Sequence, residues 1–147
     1  MDKKEALIKL ESLEKETTEL RKIIEAPDKP KPVTERIKTF SDACKELGIN
    51  PTQITNNTLD TKDEIAYKKL KIIAKALNEG WSPDWNNSSQ YKYYPYFEYK
   101  NNAFCYCDYS NDGYSSSVGS ALYLKSKDLA IYIGKQFNTE YNEYLNP

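Results

Sequence analysis

Chemistry in this sequence would have to come from three cysteines, Cys44, Cys105 and Cys107, or from carboxylates, because its 147 residues include no histidine. That absence removes histidine acid–base catalysis, Ser-His-Asp and Cys-His pairs, and histidine-ligated metal. Cys105-x-Cys107 lacks the second pair that a structural zinc site needs, so no metal is expected. Strand alternation puts both thiols on one face, and they are read as small core residues. Phosphate chemistry fares no better. Val118-Gly119-Ser120 and Gly134-Lys135-Gln136 contain isolated glycines rather than the Gly-rich turn that leads from a strand into a helix. Asp84, Glu98 and Asp108 could serve carboxylate catalysis, but acids from different elements leave no spacing rule, and surface solvation explains them more simply. The expectation is a protein that is not an enzyme and holds no cofactor.

The elements that would position any site divide the chain into residues 1–26, 27–33 and 34–147. In the first, Ala6, Leu10, Leu13, Thr17, Leu20 and Ile24 follow the alternating three- and four-residue spacing of a coiled-coil seam. With Leu10, Thr17 and Ile24 at a and Ala6, Leu13 and Leu20 at d, a parallel pair would set Lys9 against Glu14 and Glu16 against Arg21. Both contacts are opposite in sign, so Leu10, Leu13, Leu20 and Ile24 are the candidate oligomerisation residues of a homodimer. A helix this short is marginal alone, and it could instead pack on its own domain. The proline-rich stretch from Pro27 to Val33 reads as an extended, semi-stiff spacer.

Residues 34–147 read as a compact, tyrosine-rich α+β domain, with a small antiparallel sheet of about three strands packed with helices. Thr39 or Ser41 can cap a short helix that Gly48 stops, with Ile49 folding back over the end. Thr61-Lys62-Asp63-Glu64 is a capping box opening a helix with a wide apolar stripe through Ala66, Leu70, Ile73 and Leu77. Lys62, Lys68, Lys69, Lys71 and Lys75 gather on its other surface, a pattern more often a solvated face than a binding site. Gly80 closes that helix at C′, and Trp81 follows. Tyr93–Lys100 and Ala103–Tyr109 flank Asn101-Asn102 as a hairpin, and Ser120–Lys125 alternates well enough for a third strand. Ser126 caps one last helix burying Leu129, Ile133, Phe137, Tyr141 and Tyr144 or Leu145, in which Gly134 signals close approach of another element.

From Trp81 onward lie both tryptophans and all but one of the 13 tyrosines. A domain this small cannot bury so many rings, and exposed Tyr and Trp are what protein-binding hot spots use. Trp81, Trp85, Tyr91, Tyr93, Tyr94 and Tyr96 are the candidate partner-binding residues. Stacking on single-stranded bases uses such rings too, but acids outnumber lysines after Gly80 and the whole chain has a formal charge of −1, so nucleic acid is the less favoured partner. An odd cysteine count with no apolar run of signal-peptide or membrane-span length points to reduced thiols in a cytoplasm and to no membrane partner.

Ile37-Lys38-Thr39-Phe40-Ser41-Asp42-Ala43-Cys44, Ala76-Leu77-Asn78-Glu79-Gly80-Trp81-Ser82-Pro83-Asp84-Trp85, Lys92-Tyr93-Tyr94-Pro95, Ser117-Val118-Gly119-Ser120 and Gly134-Lys135-Gln136-Phe137 together resemble a group of short phage- and prophage-encoded proteins of Bacteroides-like bacteria. The likeness spans roughly residues 35 to 145 and implies a mobile-element origin without supplying an active site. Taken with the lack of catalytic residues, the surplus aromatics and a possible dimerising helix, the expectation is a non-enzymatic phage accessory protein in the host cytoplasm that binds a host protein, with an anti-CRISPR-like inhibitor of a bacterial defence system as one form. The alternatives are a nucleic-acid-binding or replication accessory protein and a minor virion component.

Overall fold

In the computed structural model, which describes residues 1–28 and 30–146, the first helix (α1, Lys3–Glu25) begins at a capping box. Asp2 Oδ1 accepts from the Glu5 N–H at 2.8 Å, and Glu5 Oε2 accepts from the Asp2 N–H at 3.3 Å. Ala26, extended ahead of Pro27, ends it, because the proline ring crowds a helical predecessor. Met1–Lys31 forms one unit and Pro32–Pro147 a second. Lys29, within the expected spacer, and Pro147, at the end of the expected second domain, lie outside the described residues.

The second unit opens with α2 (Val33–Arg36), α3 (Phe40–Leu47), α4 (Thr52–Thr55) and α5 (Lys62–Leu77). Local signals set these ends. Thr39 and Asp42 form the box at α3, and Gly48 takes φ +68° so that the Ile49 N–H reaches the Cys44 carbonyl at 2.8 Å. Glu64 accepts from the Thr61 N–H at 2.8 Å to start α5. Its far end is built one residue earlier than Gly80 suggests: Asn78 is the cap, Glu79 takes φ +48°, and Gly80 follows at φ +89°. Ala66, Leu70, Ile73, Ala74 and Leu77 of α5 are buried, so the wide stripe does pack on several neighbours, α3, α4 and the helical segment Asn138–Leu145 among them.

β1 (Lys92–Lys100) and β2 (Ala103–Asp112) form an antiparallel hairpin in which Lys100 faces Ala103 across Asn101 and Asn102. Both loop residues have positive φ, 51° and 63°, the geometry that a tight two-residue hairpin demands and asparagine tolerates. The sheet has two strands, not about three. Ser120–Leu122 winds into a 3₁₀ turn, and the expected third strand shrinks to one bridge, Leu124 opposite Tyr93. The next rung of that ladder would set Leu122 opposite Pro95, which has no N–H to give, while the buried Asn78 amide takes the side of the segment that faces away from β1. Its Nδ2 donates to the Tyr123 carbonyl at 2.8 Å and its Oδ1 accepts from the Lys125 N–H at 3.0 Å.

The C-terminal helix is likewise two, α6 (Lys127–Gln136) and α7 (Asn138–Leu145), broken at the buried Phe137. Ser126 caps α6, accepting from the Leu129 N–H at 3.3 Å, and Leu129, Ile133, Phe137 and Tyr141 are buried as their spacing requires. Gly134 is needed for contact: a Cβ there would lie 2.8 Å from Pro95 Cβ and closer still to the Tyr106 ring. The break at Phe137 redirects α7 along β2, where Asn138, Asn142 and Asn146 face the strand one helical turn apart. Asn142 Oδ1 accepts from the Phe104 N–H at 2.8 Å, Asn138 Oδ1 accepts from the Tyr106 N–H at 2.6 Å, and Asn138 Nδ2 donates to the Phe104 carbonyl at 3.1 Å. Asn146 Nδ2 adds a contact to the Asn102 carbonyl at 3.3 Å.

Cys105 and Cys107 do share a face, but it is the exposed one, which overturns their reading as core residues. Helices cover one side of the ribbon, and Phe104 and Tyr106 occupy it. Rings bury more apolar area than thiols, so they take the inner positions. The extra residue of a β-bulge opposite Tyr96 and Phe97 is Cys107 itself.

Candidate functional site

Two depressions mark the surface of the second unit. The larger, about 960 Å³, runs between α3, α4 and α5 and the segment after Gly80. Its apolar wall comprises Leu47, Ile49, Ile54, Ile72, Trp81 and Pro83. Lys68, Lys71 and Lys75 and the acids Glu46 and Glu79 line it as well. The acids are already engaged: Arg36 pairs with Glu46 and, at 3.0 Å, with Glu79, which Lys125 also approaches at 3.4 Å. The lysine row is partly engaged as well. Lys68 pairs with Asp60, Lys71 lies 4.9 Å from the Tyr67 ring centre, and Lys69 covers Phe40 at 5.5 Å. The smaller depression, about 370 Å³, lies against β1 between Val118, Leu122, Tyr144 and Leu145.

The six aromatic candidates are not gathered into one patch. Trp81 lines the larger groove, half-buried. Trp85 and Tyr94 stand edge-on to the fully buried Tyr123, with ring centres at 5.4 and 5.7 Å, and the Trp85 indole N–H donates to Ser120 Oγ at 3.1 Å. Tyr93 packs between Tyr91 and Tyr109. Only Tyr91 and Tyr96 are largely open, 58% and 42% exposed, joined by Tyr99 and Tyr114, which sequence reasoning passed over.

Against the Trp85 ring lies a residue that no sequence pattern singles out. Lys92 is 0% exposed, and its ammonium donates to the carbonyls of Asn87 at 3.1 Å, Gln90 at 2.8 Å and Gly113 at 2.9 Å. It also lies 5.0 Å from the Trp85 ring centre. A basic residue amid aromatics was the only signal available. Tyr123 is the companion knot: its hydroxyl donates to Asp112 Oδ2 at 2.5 Å and accepts from the Ser117 N–H at 2.9 Å. Burial, and then the bond to Asp112, raises its pKa above the usual phenol range.

The thiols are not activated at the two positions where a shift is resolved. Burial pushes Cys44 up. The hydrogen bond to Glu98 comes first in raising Cys107, while Lys100 and then Cys107 hold Glu98 below the usual carboxylate range. Both effects keep the nucleophilic thiolate scarce at neutral pH. Among the described residues no three Cys, Asp or Glu side chains are placed to hold a metal ion. Asp84 lies in the turn before β1, its carboxylate accepting from the Asn86 N–H at 3.0 Å, and Asp108 accepts from the Tyr109 N–H at 2.8 Å, each serving its own loop or strand.

Along α1 no residue is buried, and Leu10, Leu13, Leu20 and Ile24 form an exposed stripe. Thr17, the polar residue of the seam, donates its hydroxyl to the Leu13 carbonyl at 2.8 Å, so it presents its methyl without an unsatisfied donor. Among the described residues no helix is long and apolar enough to cross a membrane. Compared with models of known protein families, with curated proteins and with solved structures, the chain matches none of them.

Proposed function

We propose that this chain is a non-enzymatic phage accessory protein that captures a host protein, with an anti-CRISPR-like inhibitor of a bacterial defence system as the form to test first. The observation that carries capture is the larger groove, whose wall of Leu47, Ile49, Ile54, Ile72 and Trp81 is open to solvent and spans elements from three parts of the sequence. Apolar concavities with a charged border are where proteins seat a partner's anchoring side chains. Affinity purification with the folded chain from lysate of a Bacteroides-like host is expected to recover a protein partner. Ile54→Glu, at a half-buried wall position, is expected to cut recovery about tenfold with the melting temperature little changed. Recovery of no protein by the folded wild-type chain overturns the proposal.

Nucleic-acid binding is supported by the lysine row on the same groove and by its neighbour Trp81. It ranks second because Lys68 and Lys71 already have partners. Its signature would be affinity falling steeply with salt.

We further infer that α1 pairs in parallel with a second copy, which would place the site on a dimer. The complementary contacts Lys9 with Glu14 and Glu16 with Arg21, and the self-satisfied Thr17, support that seam. Leu13→Glu combined with Leu20→Glu in the full chain is expected to halve the mass in sedimentation equilibrium. An unchanged mass would sink the pairing.

A further inference from the structure

The two edges of the hairpin are treated differently by the rest of the chain. In an antiparallel pair, residues alternate between those that bond the partner strand and those whose N–H and C=O point away from it. On β2 three of these outward groups, the Phe104 N–H and carbonyl and the Tyr106 N–H, are taken by Asn138 and Asn142. On β1, Tyr93 points outward and exchanges both bonds with Leu124, at 3.0 and 2.7 Å. By the same alternation Pro95, Phe97 and Tyr99 point outward too. There the flanking chain has already turned away through Ser120–Leu122, and among the described residues nothing bonds the Phe97 or Tyr99 N–H. Pro95 has only a carbonyl to offer, as suits an edge position.

Beside this open stretch lies the 370 Å³ depression. Val118, Leu122 and Leu145 give it apolar walls. Tyr141 also lines it, 4% exposed, with a buried hydroxyl that has no hydrogen-bond partner among the described residues.

We propose that the β1 edge from Pro95 to Tyr99 is a strand-docking site, where an extended segment of a partner protein adds through backbone hydrogen bonds to Phe97 and Tyr99 and seats an apolar side chain in the adjacent depression. The occupant follows from the chemistry of the edge. Outward N–H and C=O groups recurring every second residue are matched by another extended backbone, and alternate side chains of that backbone fall on one side. The line is already begun by Leu124 opposite Tyr93, so the partner extends a ladder that the protein itself starts. This inference rests on the reading of the chain as a protein-capturing module and names the form of the captured segment.

The test begins with a random linear peptide library selected on the full chain, and continues with selected peptides titrated against wild type, Tyr99→Pro and Tyr99→Ser by fluorescence anisotropy. Proline removes an N–H that has no partner within the protein, so the hairpin ladder stays whole. Serine keeps the N–H and removes the ring. Tyr99→Pro is expected to weaken binding at least about tenfold and Tyr99→Ser less than about threefold, as for loss of a backbone bond rather than of a ring. The Phe97 and Tyr99 amides are expected to exchange more slowly with solvent when peptide saturates the chain. Should Tyr99→Pro fail to melt cooperatively, N-methylation of the peptide decides instead: loss of binding at alternate residues supports the site, and indifference at every residue overturns it. Selection of no peptide by the folded chain, equal damage by proline and serine, or unchanged amide exchange also overturns it. Amides already protected in the free chain, together with a mass that stays doubled in the Leu13→Glu, Leu20→Glu background, would assign the edge to a second copy and overturn it too. Host-protein capture that survives Tyr99→Pro would remove the edge while leaving the capture reading standing; absence of both peptide and host partner would remove both.

Discussion

Lys92→Met is expected to destabilise the unit from Pro32 onward by about 2–4 kcal/mol, enough to lower its melting temperature by roughly 10 °C. Methionine retains the unbranched stem and deletes the ammonium, whose three N–H groups each meet a carbonyl, those of Asn87, Gln90 and Gly113. Bonds to a charged donor are worth about 1.5–3 kcal/mol each, and together they outweigh the cost of holding an ammonium out of water, part of which the substitution recovers. The loss has a local signature. Two turns, one around Asn87–Gln90 before β1 and one at Gly113 after β2, hang on the same nitrogen, and Trp85 lies over it. Trp85 fluorescence and the amides of residues 86–91 should therefore change before global unfolding in a urea titration. A melt that matches wild type would mean that the three carbonyls find water equally well, and the ammonium would lose its place as the tie between the hairpin ends.

Lys92 also shows where the sequence stops being legible. Features whose partners lie within a few residues could be read directly: the Thr39 and Thr61 boxes, the Gly48 stop, the Ser126 cap and the Asn101-Asn102 turn all satisfy groups next to them in the chain. Lys92 and Asn78 instead satisfy carbonyls and amides more than twenty residues away, at Gly113, Tyr123 and Lys125, and no local pattern announces such a partner. The third strand stops at one bridge because Pro95, which would meet Leu122 on the next rung, has no N–H to extend it. Alternation correctly put Cys105 and Cys107 on one face but is silent on which face is covered, and the neighbouring rings decided it. For the candidate site the difficulty was of the same kind. The sequence leaves open which rings of the aromatic block are core and which exposed, because burial is decided by what crosses each ring: Tyr123 claims Trp85 and Tyr94, while Tyr91 and Tyr96 meet solvent. The groove wall itself joins Leu47, Ile54, Ile72 and Trp81, which share no period and become neighbours only when α3, α4 and α5 pack.

Asn138, Asn142 and Asn146 recur every fourth residue, the first two on a helix whose other positions already supply the apolar stripe and the third at its cap. Asparagine is a poor helix former, so three on one line imply work for their amides. That work is the β2 edge, and Asn138→Ala combined with Asn142→Ala is expected to leave the Phe104 N–H, the Phe104 carbonyl and the Tyr106 N–H without partners. At about 1–3 kcal/mol for each group stranded away from water, and with about 1 kcal/mol returned because alanine favours the helix, the net loss should be about 2–8 kcal/mol by chemical denaturation. A double variant as stable as wild type would show that helix propensity outweighs the edge bonds. Association is the more telling readout. An uncovered strand edge is a template for another strand, so the double variant should associate more readily than wild type with rising concentration in light scattering. The control is the same pair of substitutions with Tyr106→Pro, which removes an outward N–H of the newly opened edge and should suppress that association if the edge is its cause. Association that appears on opening β2, in a chain whose β1 edge is open throughout, would mean that strand recruitment by this ribbon is set by side chains flanking each edge. The Pro95 ring and the walls of Val118 and Leu145 would then act as the filter that keeps β1 available to a fitting segment and closed to its own copies.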